Sequence, residues 1–207
     1  MAKTAILKAE ERKRTGSGLL KQMRKEGWVP SIVYGGGQDN RNLKIDAKTF
    51  GELLSHSASE NFLVDLEIEG GTNQLAFVQD VQHDPLTGGI LHADFLAVND
   101  DTAIHAQLPI VLEGEPAGVK MGGLLEQHLH SLNITCLPKD LPETINSGVE
   151  HLKLAEALVV GDLNLPEGVT SLVTDDVVIA IVAKTRTAKS EGGADEGGDG
   201  EGEGGES

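Results

Sequence analysis

The chain has 207 residues, of which 39% are hydrophobic and only 3% aromatic, and its formal net charge at pH 7 is −16. This length suffices for one or two domains whose cores are built from aliphatic side chains. A single cysteine, Cys136, excludes an intramolecular disulfide framework and a cluster of cysteine metal ligands. The start of the chain, MAKTAILKAEERKR, has no apolar signal-peptide region, and no apolar run has membrane-spanning length, so we expect a soluble cytoplasmic protein.

The charge is divided unevenly along the chain. Residues 1–50 contain 11 Lys/Arg and 5 Asp/Glu, a net charge of +6, whereas residues 51–207 have a net charge of −22. Such an asymmetry is typical of a basic contact region joined to an acidic remainder. The plainer interpretation, in which charged faces only solvate a globule, is weakened by the eight Lys/Arg among the first 25 residues.

The first predicted helix covers residues 19–26, LLKQMRKE. Helical spacing places Leu19, Leu20 and Met23 on one face and the basic residues on the other. Ser17 or Thr15 is the predicted N-cap, and Gly27 suits the C-terminal end. Together with the segment before it, this helix presents a dense cationic surface made of Arg12, Lys13, Arg14, Lys21, Arg24 and Lys25.

Three consecutive glycines, Gly35–Gly37, follow the predicted strand Ser31–Tyr34. A phosphate-binding loop needs spaced glycines followed by Lys and Ser/Thr at a helix start, and residues 38–40, Gln-Asp-Asn, offer neither. We therefore predict a hairpin turn into a strand that starts at residues 43–45. Tyr34 then ends its strand beside the basic helix, where it can stack on or hydrogen-bond to a nucleotide.

A second helix and several strands follow. The helix is predicted from Asp46 to His56, with Asp46 as its N-cap and Phe50, Leu53 and Leu54 as its core-facing stripe. Gly70-Gly71 predicts a hairpin turn between the first two of the strands that follow this helix, after Ile68 and before Leu75. Those strands are predicted from apolar alternation at Phe62, Val64, Leu66, Ile68; at Leu75, Phe77 and, in the same phase, Val81; at Ile104, Ala106, Leu108, Ile110, Leu112; and at Val177, Ile179, Ile181.

These elements divide the chain into three parts. Residues 1–98 and 99–187 are each predicted to form a β-rich domain, separated at the polar stretch Val98–Asp101. Residues 188–207 consist almost only of Gly, acidic residues, Ala and Ser. Since such a segment has nothing apolar to bury and repels itself, we predict a disordered acidic tail.

The stretch LHADF, residues 91–95, contains a second candidate site. His92 and Asp94 are two apart on a predicted strand, so both side chains point to one face. They are candidate metal ligands, with His83, Asp84 and His105 as further ones, although the spacing matches no defined zinc site. A nucleophilic Cys136 is disfavoured, because it lies in a Leu/Ile-rich strand and is predicted to be a small core residue. The remaining interpretations are a surface pair that binds nearby backbone, and a pair that contacts bases or riboses of RNA.

Longer stretches resemble a known family. The runs RTGSGLLKQMRKEGWVPSIVYG and FVQDVQHDPLTGGILHADF resemble the bacterial large-subunit ribosomal proteins that bind 5S ribosomal RNA. The runs PIVLEGEPAGVKMGGLLEQ, CLPKDLPETI and DLNLPEGV resemble the additional β domain of the long form of that family, called CTC or general stress protein. The resemblance extends in order over residues 4–183.

The resemblance implies a mainly β fold and a ribosomal role. It implies an N-terminal six-stranded β-barrel with short helices, similar to the anticodon-binding barrel of glutaminyl-tRNA synthetase, then a second β-rich domain. It also implies binding to the loop E region of 5S rRNA in the central protuberance, through a widened minor groove. Carried over position by position, the RNA-binding residues are Arg14, Ser17, Lys21, Arg24, Lys25, Tyr34, Gln79, Asp80, His92 and Asp94.

Two departures from the family pattern matter. Ala155-Glu156 stands where many relatives have a glycine in a turn of the second domain, which questions the geometry of that turn. Helix 19–26 is less basic than in many relatives, because it contains Leu20 and Gln22.

We therefore expect a non-catalytic ribosomal protein in the cytoplasm that binds 5S rRNA and neighbouring central-protuberance proteins. No cofactor, metal, membrane, small-molecule substrate or obligate homo-oligomer is expected. Two alternatives stay open: a stress-regulated ribosome-associated factor, and a metal-dependent enzyme that uses His92, Asp94 and His83.

Overall fold

A computed structural model describes residues 5–12, 16–37, 39–69, 73–99 and 101–184. The fold of these residues is mainly β, with a closed six-stranded barrel followed by two further sheets and few short helices. The predicted fold class is confirmed. The predicted Gly70-Gly71 turn and the acidic tail of residues 188–207 lie outside the described residues.

The barrel contains the first six strands and closes without any later element. Its strand order is β1-β3-β2-β6-β5-β4, with β1 pairing parallel to β4 and β2 parallel to β6, and the other pairs antiparallel. The strands are β1 (Ala5–Glu11), β2 (Trp28–Gly35), β3 (Arg41–Asp46), β4 (Leu63–Ile68), β5 (Gln74–His83) and β6 (Ile90–Ala97). Two helices interrupt them, α1 (Ser17–Lys25) and α2 (Ala47–His56).

The second half consists of two small sheets. One has the order β10-β7-β9-β12 and the other the order β11-β13-β8. Their strands are β7 (Ile104–Glu113), β8 (Gly123–Gln127), β9 (Ser131–Cys136), β10 (Ile145–Gly148), β11 (Ala157–Val159), β12 (Thr170–Ser171) and β13 (Val178–Lys184). The short helix α3 (Ala117–Lys120) and 3-10 turns at Pro138–Asp140 and Val160–Asp162 connect them.

The ends of the two barrel helices agree with the sequence only in part. Asp46 is the N-cap of α2, and its carboxylate accepts the backbone N–H of Thr49 at 2.8 Å, as predicted. The predicted cap of α1 by Ser17 is wrong, because Gly16 occupies the N-cap and no side chain of the described residues caps the helix. Thr15 lies outside the described residues. Gly27 has a φ of 86°, which suits the predicted helix end.

The predicted glycine turn between β2 and β3 is confirmed. All three glycines have positive φ, from 62° to 93°. Gly35 is also required by packing, because a Cβ there would lie 2.8 Å from Leu96 Cδ1 and 3.2 Å from the Ala97 carbonyl oxygen. The end of β2 therefore packs against β6 so closely that a side chain would not fit at position 35.

A β-bulge in β5 changes the predicted phase of that strand. Val78 pairs with Phe95 and Asp80 with Asp94, which leaves Gln79 as an extra residue. Phe77 is consequently buried outside the barrel, whereas Val81 is buried inside it. The prediction that these two residues share a phase is therefore wrong. The alternation in β4 and β7 is confirmed by the burial of Val64, Leu66, Ile68, Ile104, Ala106, Leu108 and Ile110.

The core of the second half also receives side chains from the barrel. Leu63, Phe77 and Val98 are buried in one cluster with residues of β7, β9 and β13. In β13 the strand prediction is confirmed, but the fully buried residues are Ile179, Ala180 and Val182, with Ile181 only half-buried. Cys136 is buried in this core with 2% of its surface exposed, as predicted.

Candidate nucleic-acid interface

The candidate site lies on the outer face of three neighbouring barrel strands, β2, β6 and β5. Side chains that pair across a ladder project from the same face of a sheet. Asp94 on β6 pairs with Asp80 on β5 and with Ile32 on β2, and Tyr34 lies two residues beyond Ile32. The topology therefore gathers three residues on one surface, although Tyr34 is 46 positions from Asp80 and 60 positions from Asp94 in sequence.

Asp80 and Asp94 place two carboxylates directly opposite each other. Like charges at such a position destabilise a sheet. The bulge at Gln79 creates this arrangement, since a regular ladder would have placed Gln79 opposite Asp94. A pair of carboxylates that weakens the sheet but faces outward is suited to accept hydrogen bonds from a ligand's amino or hydroxyl groups.

His92 extends the same face and is oriented by Asp94. Its Nδ1 lies 2.5 Å from Asp94 Oδ1, and both side chains are partly exposed. Because a carboxylate only accepts, Nδ1 must carry the proton. Nε2 is then an acceptor in the neutral ring and a donor in the protonated ring. Of the contacts with bases or riboses that the sequence predicts for His92, donation from Nε2 therefore belongs to the protonated ring and acceptance to the neutral ring.

Tyr34 is half-buried beside the carboxylates. Burial raises the pKa of its phenol, and the nearby charges of Asp94 and then Asp80 raise it further. Below that raised pKa the hydroxyl is neutral, so it can both donate and accept a hydrogen bond. Tyr34 is the only tyrosine of the chain.

Helix α1 is attached to the same strands through its last turn. Arg24 Nε donates to the Leu91 carbonyl oxygen of β6 at 2.9 Å, next to His92. No residue of α1 is fully buried, and Lys21, Arg24 and Lys25 are exposed. The helix therefore holds cations beside the polar face formed by β5 and β6.

The structure places the sequence-predicted residues in two groups. Tyr34, Asp80, His92 and Asp94 share the sheet face, and Lys21, Arg24 and Lys25 lie on the helix next to it. Ser17 is exposed at the opposite, N-terminal end of α1. Gln79 is the half-buried extra residue of the bulge. Arg14 lies outside the described residues.

Two residues of this region escaped the sequence analysis. Gln82 is exposed and pairs with His92, so it continues the row begun by Asp80. Alternation along β5 from Asp80 is the signal that could have indicated it. Asn61 is buried and donates to the carbonyl oxygens of Val78 and Gln79 at the bulge, at 2.9 and 3.0 Å. No sequence motif marks Asn61.

The alternative metal site is not assembled by the described residues. None of their His, Cys, Asp and Glu side chains form a group of three or more suited to a metal ion. His83 lies with its Nε2 3.6 Å from Glu60 Oε1 instead. In the described part of the chain, no helix has the length and apolar character needed to cross a bilayer.

Comparison with known families agrees with both halves of the fold. Residues 7–95 match the family model described as the Ribosomal L25p family. Residues 103–186 match the model described as ribosomal protein TL5, C-terminal domain. The two matches define the class as ribosomal protein.

Individual relatives cover nearly the whole chain. The three described next are each named large ribosomal subunit protein bL25. The protein from Akkermansia muciniphila is 47% identical over 191 residues, which is 92% of this chain and 94% of the relative. Those from Moorella thermoacetica and Natranaerobius thermophilus are 37% and 34% identical, over 89% and 86% of this chain and 90% and 83% of their own lengths. The chain belongs to the Ribosomal L25p family, which confirms the resemblance found in the sequence.

Proposed function

We propose that this protein is a structural component of the large ribosomal subunit that binds 5S rRNA through the outer face of β2, β6 and β5 and through α1. The observation that carries the proposal is the carboxylate pair Asp80 and Asp94, held on an exposed face beside Tyr34 and a basic helix. Family membership supports the ribosomal role. The protein then acts without catalysis, on ribosomes in the cytoplasm.

The two groups of side chains suit different parts of an RNA. The cations of α1 match phosphates, which position a protein without reading sequence. Tyr34, Asp80, His92 and Asp94 offer acceptors, one phenol donor and an aromatic ring to base edges, 2′-hydroxyls and exposed bases. Carboxylates repel phosphate, so Asp80 and Asp94 favour an RNA whose base amino groups or riboses are presented to them. That requirement selects an irregular helix with an accessible minor groove, as proposed for loop E.

The second half fits a protein partner better than RNA. Residues 99–187 contain 13 acidic and 5 basic residues. Such a surface disfavours direct contact with phosphates. We infer that it contacts neighbouring, basic proteins of the central protuberance.

Substitutions in the two groups test the proposal. Lys25→Ala should weaken binding to every RNA and flatten the log–log dependence of affinity on salt by about 0.7–0.9 for each lost phosphate contact. Asp94→Ala should leave that slope unchanged and reduce the preference for 5S rRNA over an unrelated structured RNA. Affinities are measured for both RNAs at several salt concentrations.

A matched control distinguishes the loss of a phosphate contact at the proposed site from the loss of one positive charge elsewhere on the protein. Lys8 is exposed on β1, which the closed barrel order places opposite β6, so Lys8→Ala removes the same charge from the far side of the barrel. It should change the salt slope less than Lys25→Ala does. If Asp94→Ala binds both RNAs as the unaltered protein does, the proposed reading role of this face is wrong.

A further inference from the structure

Asn61 connects the β5 bulge to the second half of the protein. Its side chain is buried, with 9% of the residue exposed. Its amide Nδ2 donates to the carbonyl oxygens of Val78 and Gln79 at 2.9 and 3.0 Å. Its Oδ1 accepts the backbone N–H of Gln107, on β7, at 3.1 Å. One side chain thus binds both carbonyls at the bulge and one backbone donor of the following sheet.

We propose that Asn61 is a positioning residue for the RNA-binding face, and that through it the second half of the protein helps to set the selectivity of the barrel. This inference rests on the proposed function, because it concerns how the same face is held.

The bulge needs such a partner for a physical reason. A bulge inserts one residue that the neighbouring strand does not match, so its backbone groups lose ladder partners. Buried carbonyl groups without donors destabilise a fold. A primary amide has two N–H donors on one nitrogen, and Asn61 directs them to two consecutive carbonyls. The contact therefore stabilises the bulged form of β5 over a regular ladder.

The bulged form decides which side chain faces the RNA. With the bulge, Asp80 lies opposite Asp94. Without it, Gln79 would take that place, and Asp80 would turn to the other face, since successive strand residues alternate. A slip would also move Val81 away from the barrel core, where it is 6% exposed. Asn61 thus acts on Asp80 without touching it.

The link to β7 extends this control across the molecule. Gln107 is 46 positions from Asn61 and belongs to the sheet that follows the barrel. Its N–H fixes the orientation of the Asn61 amide, because the oxygen must face Gln107 for the nitrogen to face the bulge. Phe77, next to the bulge, is buried in the core of the second half as well. Two independent contacts therefore tie the bulge to that half.

The test combines RNA binding with a spectroscopic measurement on the full chain. Asn61→Ala should weaken 5S rRNA binding about threefold to tenfold, which is the effect of losing one hydrogen bond between the displaced Asp80 and the RNA. Binding of unrelated structured RNA should weaken less. Because the chain has one tyrosine, ultraviolet titration reports Tyr34 alone. The pKa of Tyr34 is raised by burial and by the charges of Asp94 and Asp80. Displacement of Asp80 should therefore move it towards its ordinary value.

Control variants separate positioning from general loss of stability. Ser59→Ala removes a hydrogen bond of the same loop, from Ser59 Oγ to the Asn61 carbonyl at 2.9 Å, without reaching the bulge. It should change neither measurement. Gln107→Pro removes the backbone donor together with the side chain that donates to Ser131 Oγ at 2.6 Å, whereas Gln107→Ala removes the same side-chain bond and keeps the backbone donor. If Asn61→Ala does not fold, this second pair still tests the link, and only Gln107→Pro should reduce selectivity and shift the Tyr34 titration.

Each outcome has a distinct meaning. If the unaltered protein does not prefer 5S rRNA, or if Asp94→Ala keeps that preference, the proposed function fails. If Asp94→Ala loses the preference while folded Asn61→Ala and Gln107→Pro keep both the preference and the Tyr34 titration, the proposed function stands and the positioning role of Asn61 is overturned.

Discussion

Ala155 has a backbone conformation that residues with a Cβ seldom adopt. Its φ is 65°, and it is the one residue other than glycine with a positive φ in the described ranges. The turn is held by the Ala155 N–H, which donates to the Val182 carbonyl at 2.8 Å, and by Glu156, whose carboxylate accepts the Lys153 N–H at 2.8 Å. The left-handed turn that glycine suits is therefore retained here with alanine.

This strain predicts that Ala155→Gly stabilises the protein. Glycine adopts positive φ without a steric penalty, which outweighs its greater freedom in the unfolded chain. We expect a gain of about 0.5–1 kcal/mol in the free energy of unfolding, measured by urea denaturation. Ala157→Gly, in β11, is the control and should be destabilising. A loss of stability in Ala155→Gly would show that the turn is not strained.

At the scale of elements, α2 is stabilised by a cap that is absent from α1. The Asp46 carboxylate accepts both the backbone N–H and the hydroxyl of Thr49, each at 2.8 Å. These bonds favour the ionised carboxylate, so they lower the pKa of Asp46. Helix α1 has Gly16 at its N-cap and buries no residue completely, so its position depends more on contacts such as that between Arg24 and Leu91.

Removal of the α2 cap should therefore have a pH-dependent effect. Asp46→Ala should lower the free energy of unfolding at pH 7 by about 1 kcal/mol. A carboxylate whose pKa is lower in the folded state stabilises the fold above its unfolded pKa, about 3.9, and loses this effect as the pH falls through the folded value.

Urea denaturation at pH 7 and near pH 3 measures the difference. Asp39→Ala removes an exposed carboxylate that precedes β3 and serves as the control. It should have little effect at either pH. An equal loss of stability for Asp46→Ala at both pH values would contradict the role of the charged cap.

At the scale of the whole molecule, the barrel closes alone but part of its outer side is covered by the second half. All six barrel strands lie within residues 5–97. Nevertheless, Leu63, Phe77 and Val98 are at most 5% exposed and belong to the core of the second half. The barrel strands therefore close the barrel by themselves, whereas the sheets of the second half bury some of its outward-facing apolar side chains.

We predict that a fragment of residues 1–98 folds and binds 5S rRNA but is less stable than the full chain. Exposure of Phe77 and Leu63 alone should lower the free energy of unfolding by about 1.5–3 kcal/mol for each side chain, because their burial is lost. Urea denaturation and RNA affinity are measured on the fragment and on the full chain. Replacement of Phe77 by Gln in the fragment should improve its solubility without restoring stability. If the folded fragment fails to bind 5S rRNA while residues 99–184 bind it, the RNA-binding site lies in the second half and the proposed placement is wrong.

Local signals in the sequence were enough for several elements. The carboxylate of Asp46 lies three residues from the N–H it accepts, so its cap follows from neighbouring residues. Alternation in β4 and β7 and the glycines after Tyr34 predicted strands and a turn for the same reason. The family resemblance added the barrel and the candidate residues, which no periodicity alone would have joined into one site.

Long-range pairing decided the rest. The bulge at Gln79 follows from the pairing of β5 with β6, and it moved Phe77 and Val81 to different cores. Asp80 faces Asp94 because of that register, and Asn61 contacts Gln107 across 46 positions of sequence. A sequence shows which side chains can bury or hydrogen-bond, because those properties belong to each residue. Which partner each one meets depends on how distant strands align, and only the folded sheet establishes that alignment.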